Sequence, residues 1–301
     1  MIQFKKLTIQ DKEIYDKTAK NIAIDGCEKS FANLFLWGEV EYALLENHLV
    51  FMAKFSKKIY LFPLGEGDKK PVLDAIILDA KKRGIPLEIS SVYQSEKEIL
   101  QNLYGDSFEF IYDRDWSDYV YDIEDLSSLA GKKYHKKRNH LTNFKKAHPN
   151  YRVEPICKDN LTIVKQMVEK WYIERQLQAP ELNFDYEKKV FAKSMDNFDQ
   201  LGLEGLILFD GQEVLGVTFA SRLSSDTMDV HFEKADATVN GVYVAINNEF
   251  AKYIKSKYPE IKFLNREDDM GLEGLRKAKE SYYPHHLVDK YRAVLRREQN
   301  D

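Results

Sequence analysis

Apolar residues along the chain fall into short alternating runs and into longer stretches with a three-to-four-residue period, which predicts a mixed α+β fold. Tyr42 to Leu45 and Leu49 to Phe55 read as strands joined by Glu46-Asn47, with Ile59 to Leu64 as a third strand. Over Lys69 to Arg83, the spacing of Val72, Leu73, Ile76, Ile77 and Ala80 predicts a helix that Pro71 opens and Gly84 ends. A strand (Leu87 to Val92), a helix (Glu96 to Tyr104, stopped by Gly105) and a strand (Phe108 to Tyr112) complete a first round. Tyr119 to Tyr121 is expected to pair with the last of these.

A second round follows. Val164 to Gln176 and Tyr186 to Phe198 read as helices, and Leu203 to Phe209 with Glu213 to Arg222 as a hairpin around Asp210-Gly211. Thr227 to Glu233 alternates as a strand, Tyr243 to Ile254 is a helix and Ile261 to Leu264 a strand. Leu272 to Lys279 is a helix and Val288 to Leu295 a last strand. Each round thus runs hairpin, strand, helix, strand, helix, strand.

Composition bounds the class. With 301 residues, 44% of them apolar and 31% charged, the chain suits a soluble globular protein with two cores. No apolar run reaches the roughly 20 residues a bilayer requires, and Met1 to Lys6 lacks a secretion signal. Cys27 and Cys157 lie far apart without metal spacing, which fits two thiols in a reducing compartment, so a cytoplasmic location is expected. A net charge of −4 exerts no global pull on nucleic acid. Locally, Gly131 to Lys146 carries seven Lys or Arg and no acid, in a predicted helix from Lys132 to Ala147 whose Tyr134, Arg138, Leu141 and Phe144 share a stripe.

Chemistry concentrates at strand ends. Asn265 to Asp269 are five polar residues in a row after an apolar strand, suited to a pocket rim; Gly271 and Gly274 then let the backbone turn into a helix bearing Arg276, Lys277 and Lys279. The same composition also describes a solvated acidic loop before a basic helix. On the strand ending His231-Phe232-Glu233, alternation puts His231 and Glu233 on one face, toward a cleft or solvent, where either can hold or deprotonate an amine. A solvated strand face with a structural Glu is the alternative. Asn240 and Gly241 precede a helix N-terminus suited to an anion, yet no Arg precedes them and the usual pyrophosphate signature is absent. Lys137, Arg138 and Asn139 can meet phosphates, or simply balance the acidic stretch upstream. Trp171 and Arg175, one helical turn apart, fit packing. No phosphate loop, dinucleotide fingerprint or nucleophile elbow occurs. His285-His286 are expected to point apart on a strand, and no metal is assigned.

The order of elements resembles the acetyltransferase-like (GNAT-like) fold. The motifs HFEKAD with GVYVAINNEFAKYI, NREDDMGLEGLRKAKESYYP and KKRNHLTNFKKAHP resemble the family related to the C-terminal domain of phosphatidylglycerol lysyltransferases, over roughly residues 20 to 295. The resemblance implies two tandem domains, 1–122 and 123–301, each a mixed, mainly antiparallel sheet flanked by helices. It implies aminoacyl transfer from aminoacyl-tRNA to a lipid headgroup, and falls on Asn265, Glu267, Gly271, Gly274, Leu275, Arg276 and Lys279. Lysyltransferases carry a large membrane-embedded half that this chain does not, so the acceptor need not be a lipid.

The expected function is therefore acyl or aminoacyl transfer, from aminoacyl-tRNA or acyl-coenzyme A, to an amine or hydroxyl. Glu233, Glu267 and His231 are its catalytic candidates. Lys137, Arg138, Asn139, Asn265, Arg266, Arg276 and Lys279 would hold substrate, and Asn240 and Gly241 the donor. Glu233→Gln or Arg266→Ala is expected to abolish transfer with little change in melting temperature. The alternatives are a non-catalytic ligand-binding or regulatory module and a partner subunit acting on peptidoglycan precursors. The N-terminal round, lacking a comparable polar cluster, is expected to be a scaffold.

Overall fold

The computed structural model describes residues 1–22, 24–54 and 57–296. Phe55, the expected end of one strand, lies outside them, as do residues 297–301 of the expected C-terminal domain. The chain opens with β1 (Lys5–Lys6), α1 (Lys12–Ala19), α2 (Phe31–Leu36), β2 (Glu39–Leu45), β3 (His48–Lys54), β4 (Lys58–Leu61) and β5 (Leu64–Gly65). Next come α3 (Lys70–Arg83), β6 (Glu88–Val92), α4 (Gln94–Tyr104), β7 (Phe108–Tyr112), β8 (Asp118–Asp122), α5 (Ile123–Ser128), α6 (His135–Ala147) and β9 (Tyr151–Pro155). They are followed by α7 (Leu161–Gln178), α8 (Asp185–Asp196), β10 (Glu204–Asp210), β11 (Glu213–Arg222) and β12 (Thr227–Ala235). The last elements are α9 (Val242–Lys257), β13 (Phe263–Asn265), α10 (Glu273–Glu280), β14 (His286–Val288) and β15 (Tyr291–Leu295).

Two compact units result. One comprises Met1–Asp118, Asp268–Leu272 and the segment from Leu287 on; the other comprises Tyr119–Glu267 and Glu273–His286. The first sheet runs β1-β2-β3-β4-β6-β15-β7, with β5 on β3, and the second β14-β8-β13-β12-β11-β10-β9. Both are mixed. β4 runs parallel to β6, and β12 parallel to β13, with α3 and α9 making the crossovers that parallel neighbours need. Buried Val72, Leu73, Ile76 and Ala80 face the first sheet from α3, and Phe219 and Phe232 stack at 5.0 Å in the second.

Two expected pairings differ. Val288 to Leu295 was expected to finish the second round, yet β15 is hydrogen-bonded between β6 and β7 of the first unit. Tyr119 to Tyr121, expected beside β7, pairs instead with β13 as part of β8. Each sheet thus takes a strand from the other half of the sequence, and the division does not fall once at residue 122. Tyr119, Val120 and Tyr121 are all buried, and β8 is hydrogen-bonded on both of its edges, between β14 and β13. The helix α2 escapes periodicity reading because all six of its residues are buried.

Ala293 of β15 is fully buried in the first core, whereas Arg292 reaches Glu88 near the surface at 3.2 Å. Ala293→Asp is expected to cost about 3–5 kcal/mol through an unpaired buried charge, and Arg292→Ala under about 1 kcal/mol. Urea unfolding checks both, and equal small effects would show that β15 does not belong to the first core.

Candidate active site in the second unit

β12 and β13 are paired only over Thr227–Asp229 and Phe263–Asn265. β12 then runs on for six residues, with β11 on its other side, while the chain leaves β13 through Arg266 and Glu267. The sheet opens there, at the carboxyl ends of two parallel strands, where crevices form in such sheets. Helix α9 covers it with Val242, Ala245, Ile246, Phe250 and Ile254 facing inward.

Glu233 stands in this opening. It accepts from Arg266 Nη2 at 2.8 Å and from Asn247 Nδ2 at 3.3 Å, and both charged side chains are mostly buried. Arg266 lies over the rings of Tyr121 and Tyr282, 5.6 and 5.2 Å from their centroids. Although burial opposes its charge, Glu233 holds the guanidinium pKa above its ordinary value. Burial raises the phenols of Tyr121 and Tyr282, so neither is a proton acceptor at neutral pH. Lys137, half-buried on α6, donates to Ser281 Oγ at 2.7 Å and lies 3.7 Å from the Tyr282 ring centre. Burial, reinforced by Arg266 and opposed by Glu233, lowers its pKa to about 8.

A second group sits on the turn after β13. Asn265 is fully buried, and its Oδ1 accepts the Glu267 N–H at 2.7 Å. Glu267 has a positive φ of 57°, rare outside glycine. Lys279 is buried rather than open to a ligand: its Nζ donates to the Arg266 and Glu267 carbonyls at 2.5 and 3.1 Å. His231 also departs from expectation, because its side chain is fully buried instead of facing a cleft or solvent. A register shift pairs Phe219 with Phe232 and Ala220 with Val230, so His231 falls in a bulge, where simple alternation fails. Its Nε2 is 2.8 Å from Ser221 Oγ and its Nδ1 3.3 Å from Glu267 Oε1.

Other expected residues lie elsewhere. Arg138 donates to the Leu129 and Gly131 carbonyls, holding the turn before α6, and Asn139 is exposed on that helix. Arg276 is half-buried on α10. Gly241, with φ +82°, begins α9; a Cβ there would come within 2.6 Å of the His140 carbonyl, so close helix packing requires the glycine. Asn240 Oδ1 is 3.4 Å from His140 Nδ1. Gly271 has φ +71° and abuts Asp115, as a turn glycine should, but Gly274 lies inside α10 with open space at its Cβ. The polar run divides, since Asp268 and Asp269 belong to the first unit, where Asp269 is buried 3.6 Å from Arg114. His285 and His286 do not point apart: His285 precedes β14, and their Nδ1 atoms approach to 2.9 Å beside Phe263. Trp171 packs under Lys234 and donates to Tyr243, in line with a packing role.

Asn247, Ser281, Tyr282 and Tyr121 were not anticipated. Asn247 had a signal, an Asn-Asn pair within an apolar helix; Asn248 takes up the Leu126 and Ser127 carbonyls at 2.8 Å each. The first unit also holds an unexpected buried charge group. Lys290 lies 2.5 Å from both Asp118 and Glu28, and Lys29 lies 2.5 Å from Glu96. A hollow of about 600 Å³ beside α7 is lined by that helix alone and shares no residue with the cluster around Glu233.

Known proteins agree with this architecture. Residues 19–294 match the family described as phosphatidylglycerol lysyltransferase, C-terminal, and the chain belongs to that family. A conserved protein of unknown function from Bacteroides thetaiotaomicron VPI-5482 is 34% identical, with a TM-score of 0.92, over 98% of this chain and 100% of its own. L-PGS from Bacillus licheniformis shares the fold at 14% identity and a TM-score of 0.68, over 97% of this chain and 92% of its own. An uncharacterised protein of Mycoplasmoides gallisepticum is 23% identical over 177 residues, 58% of this chain. The match spans only 55% of that relative's length. The fold is tandem GNAT-like. No helix among the described residues is long and apolar enough to cross a membrane.

Two outcomes follow for stability. Arg266→Ala leaves Glu233 buried without its cation, so a loss of about 3–5 kcal/mol is expected, in contrast to the unchanged melting temperature expected from sequence; urea titration checks it. Below about pH 8 Lys137 is charged in both states and folding carries its burial cost. Between about 8 and the ordinary 10.5 the folded protein binds fewer protons, so stability rises with pH. Lys137→Met should raise the melting temperature at pH 7 and flatten that rise, and an unchanged profile would refute the assignment.

Proposed function

We propose that the second unit transfers an aminoacyl group from an aminoacyl ester, the acceptor end of a charged tRNA, to an amine or hydroxyl acceptor. One observation carries this reading. Among the described residues, Asn247 Oδ1 and Arg266 Nη1 are buried without a hydrogen-bond partner, and both side chains bond to the same carboxylate, Glu233. An unsatisfied acceptor and an unsatisfied donor each cost about 1–3 kcal/mol. An aminoacyl group satisfies both: its α-ammonium meets Asn247 Oδ1 and Glu233, and its carbonyl oxygen meets Arg266. A plain acetyl thioester offers no ammonium, which favours the aminoacyl donor over acyl-coenzyme A.

The chemistry is then largely alignment and charge stabilisation. The acceptor's N–H or O–H attacks the ester carbonyl, and Arg266 stabilises the oxyanion. Lys137, in its neutral form, takes the acceptor's proton. The C–O ester bond breaks and the tRNA hydroxyl leaves with a proton, so charge and atoms balance. Exposed Lys132, Lys136 and Lys146 on and beside α6 suit an RNA backbone. Family membership supports a lipid headgroup as acceptor, with a small-molecule amine as the other candidate. Such a donor implies a cytoplasmic site of action.

A thermal-shift screen with aminoacyl-tRNA, uncharged tRNA, acetyl-coenzyme A and coenzyme A tests the donor, since a ligand of the folded state raises the melting temperature. The expected result is a shift with aminoacyl-tRNA that exceeds the shift with uncharged tRNA. Glu233→Gln should reduce the excess and lower transfer at least about 100-fold, the scale of one lost electrostatic contact. Equal shifts with both tRNAs, or a shift with acetyl-coenzyme A alone, would refute the aminoacyl reading. A non-catalytic binding module is favoured by the Glu233–Arg266 pairing, and saturable binding without turnover would establish it.

A further inference from the structure

We propose that Thr218 completes a three-point cradle for a primary ammonium, so that the site takes a free α-amino group and rejects an acylated one. The assignment rests on the aminoacyl reading above, and adds to it the form of the amine and the residue that reads it.

Thr218 stands on β11 directly opposite Glu233 of β12. Residues paired in this way on antiparallel strands share one side of the sheet, with Cβ atoms about 4.5–5.5 Å apart. Alternation along the strands identifies the side. The adjacent pair, Phe219 with Phe232, stacks on the opposite face, where Phe191 packs against both rings. Glu233 turns the other way, to Asn247 of α9, a helix that packs on both strands. Thr218 therefore lies under the same helix and beside the same carboxylate.

A hydroxyl is an unexpected group at that position. Thr218 is fully buried, and among the described residues its Oγ1 has no hydrogen-bond partner. Valine has the same branched shape and suits a strand as well, without a polar atom to desolvate. Leaving a buried hydroxyl unpaired works against folding. The oxygen thus calls for a use outside the fold, as do Asn247 Oδ1 and Arg266 Nη1 close by.

Counting donors and acceptors specifies that use. A primary ammonium carries three N–H donors and no acceptor. Each Glu233 oxygen accepts one bond, from Arg266 or from Asn247, and keeps a further lone pair. Glu233, Asn247 Oδ1 and Thr218 Oγ1 are then three acceptors, brought together from β12, α9 and β11. The two neutral ones leave the positive charge to Glu233. An acylated amine has one N–H and no charge, and a prolyl ester has two N–H groups. Either leaves a buried acceptor unpaired, which is the condition under which hydrogen bonding selects most strongly.

The test uses the full chain and bulk tRNA in three forms: uncharged, charged with mixed amino acids, and charged then acetylated on the α-amine. Fluorescence anisotropy gives the dissociation constants. The wild type is expected to bind the charged form most tightly. Thr218→Val should weaken that form at least about tenfold, the scale of one hydrogen bond to a charged group. It should leave the other two forms unchanged and raise the melting temperature of the free protein. Thr218→Ser, which keeps the oxygen, should preserve the discrimination. A Val variant that binds all three forms as the wild type does, weakens all three equally, or melts lower would overturn the role of Thr218. Equal wild-type binding of the charged and acetylated forms would overturn the cradle while aminoacyl transfer stands. Equal binding of charged and uncharged tRNA would instead refute the aminoacyl reading, and the cradle with it.

Discussion

Much of the candidate site hangs on one buried ammonium. Lys279 donates from α10 to two consecutive carbonyls, Arg266 and Glu267, while Asn265 holds the Glu267 N–H. Tyr119 exchanges backbone hydrogen bonds with both, its N–H to the Glu267 carbonyl and its carbonyl from the Arg266 N–H. So fixed, neighbouring residues serve different places: Arg266 reaches Glu233, and Glu267 reaches His231. The positive φ at Glu267 is tolerable because these contacts over-determine the turn.

The opening that this turn borders comes from unequal strands. β13 is three residues long and β12 nine, so their ladder ends where the polar side chains begin. Past that point β12 has no partner on the β13 side, and Asn247 of α9 reaches Glu233 there. A longer β13 would have closed the ladder over Glu233. The candidate site residues therefore collect at the point where pairing stops, the usual place for a ligand in a sheet with parallel neighbours.

Burial distinguishes the charged groups from ordinary surface pairs. An exposed pair such as Lys70–Asp74 adds little, because solvent screens it and two long side chains must be ordered. Glu233–Arg266 and the Lys290 group are largely removed from water, so each is weak evidence of stability but costly to break. In the first unit, Lys290 lies between the Glu28 and Asp118 carboxylates, and among the described residues Glu28 Oε2 keeps no hydrogen-bond partner. In the second, Asn247 Oδ1 and Arg266 Nη1 likewise keep hydrogen-bonding capacity that the protein does not use, and both side chains bond to one carboxylate, Glu233.

Local chemistry was legible along the chain. Pro71 and Gly84 bound α3, Glu46-Asn47 and Gly211 mark the two hairpins, and the polar run from Asn265 marks the site. Such signals are written in neighbouring residues, because capping, turn formation and periodicity act over a few positions. Which strands become neighbours was not legible: β8 and β15 join sheets distant in sequence, because pairing between remote segments is set by tertiary packing and not by neighbouring residues. The bulge at His231, the stacking of Lys137 on Tyr282 and the reach of Asn247 to Glu233 have the same origin. The sequence determined the elements and the residue types at the cleft. Tertiary packing decided which of those residues face one another, because contacts across 14 to 145 positions leave no periodic trace.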